Sequence, residues 1–410
     1  MRYRILLILI GLALSQPCFA QGKLELEFPT WQAEEPGNAD FWNEAVKAFE
    51  QSHPSVKVNK YQVPFREFID KMTVRFAAGN PPQIAHLPVR NLPSFAAQGW
   101  LMPLDDLIAK TDIRATYTKM ADEMVWEGKT QGVLLMGYGM MFYYNEKILK
   151  EAGVAVPKSE EELLKAIQAA TNVNKGIFGW GATTTDHPNI YVDWASWATG
   201  LGVSLYKENQ YNFTDPVVVR AIDRFRVAAK HAPKGTSTEA MRQLFVDGKI
   251  AMLRDGPWVG AMLKKAPEDA RPFLKMGLLP FTHNPGGTSN SIHIPAKIDP
   301  ERKQLVWEFI QMLTTPEWQA RFMLLTRSPA PRRNALSERQ QAEQPELALV
   351  AKSVSTAVNL FPESPGARTN YNQIAKLVGE AGIRLVNSDR PTADILKDLQ
   401  AELVRRVPLK

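Results

Sequence analysis

The chain has 410 residues, a formal charge of +6, 45% hydrophobic residues and a single cysteine. That length exceeds one ordinary core and points to two domains, and the apolar content is that of a globular protein. One cysteine excludes a disulfide framework, and the lack of any long Lys/Arg block argues against a nucleic-acid partner.

The first residues read as a processing signal. Met1-Arg2-Tyr3-Arg4 is a short basic start, and Ile5–Leu14 is an apolar run too short to span a bilayer. Ala20 then offers a small residue for cleavage before Gln21. Residues 1–20 are therefore expected to be a cleavable secretory signal peptide. A lipid anchor on Cys18 would need small residues ahead of it, where Gln16 and Pro17 stand. A freed, exported protein is the expected product.

Leu24-Glu25-Leu26-Glu27-Phe28 alternates apolar and polar, a strand pattern closed by Pro29-Thr30-Trp31. A loop through Gly37 leads to a helix that Asn38 or Asp40 can cap, with Phe41, Ala45 and Phe49 on one face. Val56–Val63 gives a second strand. Phe65, Phe68, Ile69, Met72 and Phe76 sit at helical spacing until Gly79, and Ile84–Leu87 gives a third strand. The sequence thus starts β-α-β-α-β, an α/β layer pattern. Val133–Tyr144 is a long apolar stretch containing Gly137 and Gly139, read as one strand crossing between lobes. Ser159 with Glu162 forms a capping box, and Asp215-Pro216 starts a helix whose buried stripe is Val218, Ala221, Ile222, Phe225 and Ala229.

The stretch LFVDGKIAMLRDGPW, Leu244–Trp258, ends a helix, turns at Gly248 and enters a short apolar strand, Ile250–Leu253. Arg254-Asp255-Gly256-Pro257-Trp258 lies at that strand's carboxyl end, where ligands bind in open α/β sheets. Gly286-Gly287-Thr288-Ser289-Asn290 is the most loop-like segment and reads as a second crossing. Asp299-Pro300 and Thr315-Pro316 start two further helices.

Four segments, in this order and spacing, resemble the carbohydrate-binding family (family 1) of extracellular solute-binding proteins of ABC importers. They are AAGNPPQIAHLPVRNLPSFAAQGWLMPLDDLI (Ala77–Ile108), YGMMFYYNEKILKEAGVAVPKSEEEL (Tyr138–Leu163), LFVDGKIAMLRDGPW, and VWEFIQMLTTPEWQARF (Val306–Phe322). The resemblance implies an α/β, two-lobed periplasmic binding protein fold, type II-like, with lobes joined by strand crossovers and the ligand cleft between them. It places lobe I at 21–137 and 286–333 and lobe II at 138–285 and 334–410. It also implies a monomer in the periplasm, a carbohydrate ligand, a membrane permease as partner, and no cofactor. One departure is Gln83, where many members carry Asp; another is the loop after the third strand, His86 to Asn91, which lacks the acidic or aromatic cleft residue common there.

Sugars are recognised by aromatic faces against C–H patches and by planar polar groups on hydroxyls. Trp258 is the leading candidate, with lobe core as its alternative. Trp31 and Glu34 follow the first strand, and Tyr138 stands at the crossing. Tyr191 and Trp194 match family positions that line the cleft, while Trp197 is expected in the core. Ser289 and Asn290 are either a donor pair or a plain turn. Arg66, Arg90, Arg332 and Arg368 lie near cleft-forming segments of the family; each is otherwise a surface charge. SPGARTNYNQI (Ser364–Ile374) resembles a segment that brings an Arg and an aromatic into the cleft of some members, including binders of glycerol phosphates, which implicates Arg368 and Tyr371. Convergence of two or more arginines would favour an anionic glycerol-phosphate or sugar-acid ligand.

A secreted glycoside hydrolase would need two carboxylates across a sugar, and no motif nominates them. Gly287-Thr288-Ser289-Asn290-Ser291 lacks the last glycine of a hydrolase elbow, and the six histidines are scattered without zinc spacing. A capture or scaffolding protein would show exposed aromatics without a closing cleft. The expected function is substrate binding for an ABC importer, without catalysis.

Overall fold

The computed structural model describes residues 23–409, so the expected signal peptide lies outside the described residues. Strand β1 (Leu24–Thr30), helix α1 (Asn38–Ser52), β2 (Val56–Gln62), α2 (Phe65–Ala77) and β3 (Ala85–Pro88) reproduce the predicted start. β1 and β2 run parallel, with Leu24 opposite Val56. The apolar stripes explain the two helices: Phe41, Ala45 and Phe49 are buried on α1, and Phe68, Met72 and Phe76 on α2. The start of α1 differs from the sequence reading. Gly37, at φ 78°, takes the N-cap position, and a Cβ there would lie 2.5 Å from the Leu325 carbonyl oxygen.

The stretch expected to be one strand is two, β4 (Val133–Gly139) and β5 (Met141–Asn145). They part at Met140, whose N–H donates to the Pro285 carbonyl (2.7 Å). The main elements that follow are α3 (Glu160–Ala170), β6 (Phe178–Gly181), α4 (Asn189–Gly200), α5 (Pro216–Ala229), α6 (Thr238–Val246), β7 (Ile250–Asp255) and β8 (Leu274–Leu278). Then come β9 (Asn284–His293), α7 (Pro300–Thr314), α8 (Pro316–Thr326), α9 (Pro345–Ser355), β10 (Ala357–Asn359), α10 (Tyr371–Asn387) and α11 (Thr392–Arg406). Ser159, Asp215, Asp299 and Thr315 each accept a backbone N–H in the first turn of their helices, but the expected Ser159 capping box is only half made, because Glu162 accepts from the Lys158 N–H rather than from Ser159.

β4 and β5 part company because they serve different sheets. β4 pairs antiparallel with β9, which also pairs antiparallel with β3 and parallel with β10. β5 lies inside a four-stranded sheet ordered β8-β5-β7-β6. The glycine-rich segment 286–290 is therefore strand, not loop. Its glycine allows close approach: a Cβ on Gly286 would stand 2.4 Å from the Tyr138 carbonyl oxygen.

The apolar cores divide the same way. Two clusters draw on residues within 26–136 and 292–322. Two others draw on residues within 138–279 and 350–407. The chain is thus two α/β lobes, with strands crossing between them. Among the described residues no helix is long and apolar enough to cross a membrane.

Candidate ligand-binding site

The carboxyl ends of β1, β3, β6 and β7 meet at a cavity of about 80 Å³. A water needs roughly 10–15 Å³ on this measure, so there is room for about five to eight waters, or one sugar ring in their place. β1 delivers Trp31 and Gln32, and β3 delivers Pro88 and Arg90. β6 leads to Thr183, and β7 ends in Arg254 and Asp255 with Trp258 just beyond. Tyr138, Met140 and Ser289, on the crossing strands, complete the wall.

Aromatic faces come from both sides. Trp31 stacks on His86 at 4.3 Å and 10°, with Phe65 and Phe68 edge-on to it. Burial pushes the His86 imidazole down to about 3, so the ring is neutral at physiological pH, and its Nδ1 is 2.8 Å from Thr30 Oγ1. Opposite, Trp258 meets Tyr138 edge-to-face at 5.5 Å and lies 5.6 Å from the Arg242 guanidinium. Trp258 is half-buried and packs against three of the four apolar clusters, drawn from both lobes. The Gly256-Pro257 turn makes this possible. A Cβ on Gly256 would lie 2.1 Å from the indole, so only glycine lets the ring fold back over its own turn.

The charges are largely matched. Arg242 forms a fork with Asp255 (2.7 and 2.9 Å), and Arg254 pairs with Asp193 from α4. Burial pushes the Asp193 carboxyl up, and Arg254 opposes that. Two groups at this wall make no hydrogen bond within the protein, Asp193 Oδ2 and Trp258 Nε1. Unmet buried groups cost about 1–3 kcal/mol each, so a ligand hydroxyl that meets them recovers that energy. Glu35 is half-buried and takes one hydrogen bond, from Asn38 Nδ2 at 3.2 Å. Burial lifts its carboxyl to about 7; Arg242 opposes the rise, while Glu239 and Asp255 add to it. His187, with Nε2 at 3.4 Å, holds the Glu239 carboxyl down, to about 2. Threonines 183 and 238 join hydroxyls at 2.7 Å, and Asn189 donates to Thr238 at 3.3 Å.

Of the residues nominated from sequence, Trp31, Arg90, Tyr138, Trp258 and Ser289 line the cavity. The others are elsewhere. Tyr191 and Trp194 are fully buried in the apolar core of α4, a helix surrounded on all sides. Asn290 is fully buried in β9. Glu34 is exposed and lines a neighbouring groove, one place short of Glu35. Arg66 is exposed and faces Asp186 at 3.7 Å. Arg332 is a structural clamp, buried with a fork to Asp112 (2.7 and 3.0 Å) and a bond to the Thr314 carbonyl. Arg368 faces Glu123 (3.5 Å) and Trp126 in a side recess, which Tyr371 also lines.

The sequence reading passed over Glu35, Asp193, Glu239, Arg242, Arg254 and Asp255. Signals existed for some. Arg254 and Asp255 stand in the same strand-end stretch that nominated Trp258, and Asp193 is the sole carboxylate of an apolar helix. Among the described residues no cluster of three His, Cys, Asp or Glu could hold a metal ion.

Comparison with known proteins agrees with this architecture. The diacetylchitobiose-binding protein DasA of Streptomyces coelicolor is 22% identical over 363 residues, 82% of this chain and 80% of that protein. An ABC transporter solute-binding protein of Thermotoga lettingae, solved with α-D-tagatose, superposes with a TM-score of 0.83 at 19% identity, covering 94% of this chain and 99% of that one. UgpB of Mycobacterium tuberculosis, in complex with glycerophosphocholine, gives 0.80 at 19% identity, covering 93% and 98%. These likenesses establish the fold. Residues 33–320 match the bacterial extracellular solute-binding protein family, and with most of its length inside that match the chain belongs to this family.

Proposed function

We propose that this chain is the periplasmic substrate-binding component of an ABC importer, which takes a sugar or oligosaccharide into its interlobe cleft and delivers it to the membrane permease. The observation that carries the reading is the cavity wall itself. Indole faces from two lobes, Trp31 and Trp258, flank a space lined by matched carboxylates and guanidiniums. Rings suit the C–H faces of a sugar, and fixed polar groups suit its hydroxyls. The relatives add weight, since one protein of this fold has been solved with α-D-tagatose and another relative is a diacetylchitobiose-binding protein.

The proposed working parts are two lobes. The cores support reading residues 23–137 with 286–333 as lobe I and residues 138–285 with 334–409 as lobe II. A ligand touching both lobes favours the closed arrangement in proportion to its extra contacts there. The permease then reads the closed form, and the binding protein works as a monomer. Binding is the whole task. Asp193 and Asp255 are committed to arginines.

A thermal-shift screen of the mature protein tests this. Neutral mono- and oligosaccharides, uronates, sugar phosphates and glycerophosphodiesters would each be added in excess. A native-state ligand at a hundredfold over Kd adds about 2.7 kcal/mol of stability and raises Tm. A shift with any sugar, which is then recovered unchanged, supports the reading. Cleaved sugar, or no shift across the panel, overturns it.

A further inference from the structure

Beyond the enclosed cavity lies a wider groove of about 520 Å³, and Phe65 and Arg90 belong to both. A narrow side recess, bounded by Arg90, Glu123, Phe361, Arg368 and Tyr371, opens at the same point. Arg90 therefore stands where three spaces join. Its guanidinium lies over Phe65 (5.3 Å), Phe361 (5.7 Å) and Tyr371 (5.7 Å). Ring faces steady the charge but accept none of its in-plane N–H donors. Arg66, Arg332 and Arg368 each face a carboxylate, whereas no carboxylate among the described residues pairs with Arg90. The Tyr371 hydroxyl, buried in the same surroundings, makes no hydrogen bond within the protein. Two sets of donors thus stand unmet where the groove and the recess meet, with Arg90 reaching the cavity as well.

The charges around them give a direction. Inside the cavity Arg242 and Arg254 are already taken by Asp255 and Asp193, and Glu239 adds a further carboxylate. That interior repels an anion and suits hydroxyls. In the outer groove Arg66 faces Asp186 and Lys71 faces Glu67, which leaves Arg90 and Lys376 against Asp70. The net charge available to a ligand there is positive.

We propose that the ligand is an acidic sugar, whose neutral ring fills the cavity and whose carboxylate or phosphate is bridged by the Arg90 guanidinium and the Tyr371 hydroxyl at its mouth. This rests on the sugar-binding reading above and narrows it. A guanidinium edge meets a carboxylate or phosphate with two parallel bonds, and the phenol supplies a third donor.

The test is calorimetric titration of the full mature protein with matched pairs: glucose against glucuronate and glucose 6-phosphate, and galactose against galacturonate and galactose 6-phosphate, with the corresponding disaccharides. In at least one pair the acidic member binds tighter by about tenfold or more, and the preference weakens with added salt. The two acidic arms separate carboxylate from phosphate. In R90M the acid-to-neutral ratio collapses, in R90K part of it survives, and in Y371F it falls less than in R90M. Unliganded melting curves of the three variants confirm that each is folded. Neutral members binding as well as acidic ones would overturn the Arg90 proposal and leave the sugar reading in place. So would an R90M variant that weakens both members equally, because Arg90 would then only brace the aromatic rings. Failure of every member to bind sinks both.

Discussion

On the cleft wall built from residues 31–90, the groups facing the cavity are aromatic faces and single charges: Trp31 backed by His86, Phe65, Glu35 and Arg90. On the facing wall, built from residues 183–258, the charges come as fixed pairs, Arg254 with Asp193 and Arg242 with Asp255, beneath Trp258. The paired wall has met most of its electrostatic cost before any ligand arrives, with only Asp193 Oδ2 and Trp258 Nε1 left for a ligand, and its geometry is set by the protein. The unpaired wall has charges whose partners come from the ligand or from the opposite lobe. The comparison assigns stability to one side and ligand discrimination to the other. Substitutions should separate the two.

The largest effect belongs to the paired wall. R254M leaves the Asp193 carboxylate buried beside an apolar side chain. Removing one partner of a buried ion pair costs about 3–5 kcal/mol, and both side chains here are about nine-tenths buried. Urea unfolding should show the midpoint falling with an unchanged slope. A loss below about 1 kcal/mol, the range of a surface pair, would mean that this wall is not preorganised.

Next comes the ring that joins the walls. Because Trp258 touches clusters in both lobes, W258A should weaken ligand binding by about tenfold or more, or about 1.4 kcal/mol. Its melting temperature should stay far above that of R254M, since the ring is only half-buried. Fluorescence or calorimetric titration reads the affinity. An unchanged Kd removes Trp258 from the site and undoes the comparison at its centre.

How far the sequence foretold this depends on the kind of signal. The first five elements were legible because each carries one clear period and its own stop: Phe41, Ala45 and Phe49 down one helix face, Gly79 after the next helix. Trp258 was legible because a strand end has a known relation to ligands. Tyr191 and Trp194 were misplaced because α4 is buried all round, so no periodicity tells which face meets the cleft. Asn290 was misread because its glycine neighbours suggest a turn, while β9 uses them to bring strands together. Arg332 was beyond reach. Its partner Asp112 lies far away along the chain, and only the folded lobe joins them. The break at Met140 was hidden as well, because two strands of different sheets run on as one apolar stretch.

A smaller effect tests how the ring is aimed. G256A adds a Cβ where the indole now sits, 2.1 Å away. The ring must swing off the turn, so ligand affinity should fall in the same direction as in W258A but less, because the indole remains in the cleft. Trp emission in the unliganded protein should also shift. Wild-type affinity with wild-type emission would show that the turn can relax without moving the ring.

The last effect comes from the unpaired wall and is a dependence on pH. Burial beside Glu239 and Asp255 raises the Glu35 carboxyl from an ordinary 4.5 to about 7, against the pull of Arg242. The folded protein therefore binds more protons than the unfolded chain between these values. Stability falls as pH rises through that window and levels off above it, which is the reverse of the usual carboxylate. Glu35 faces groups of the opposite lobe, so the same reasoning applies to closure of the cleft. A closed form that holds Glu35 protonated takes up a proton, and ligand affinity declines over the same range. E35Q keeps the hydrogen-bonding shape and removes the titration. It should flatten the decline in both Tm and affinity between pH 4.5 and 7, while Arg254 and Asp193 remain paired as before. Calorimetry in two buffers of different ionisation enthalpy would count the proton directly. If wild type and E35Q trace parallel curves, Glu35 is solvated in the working protein, and the two walls differ less in their electrostatics than their side chains suggest.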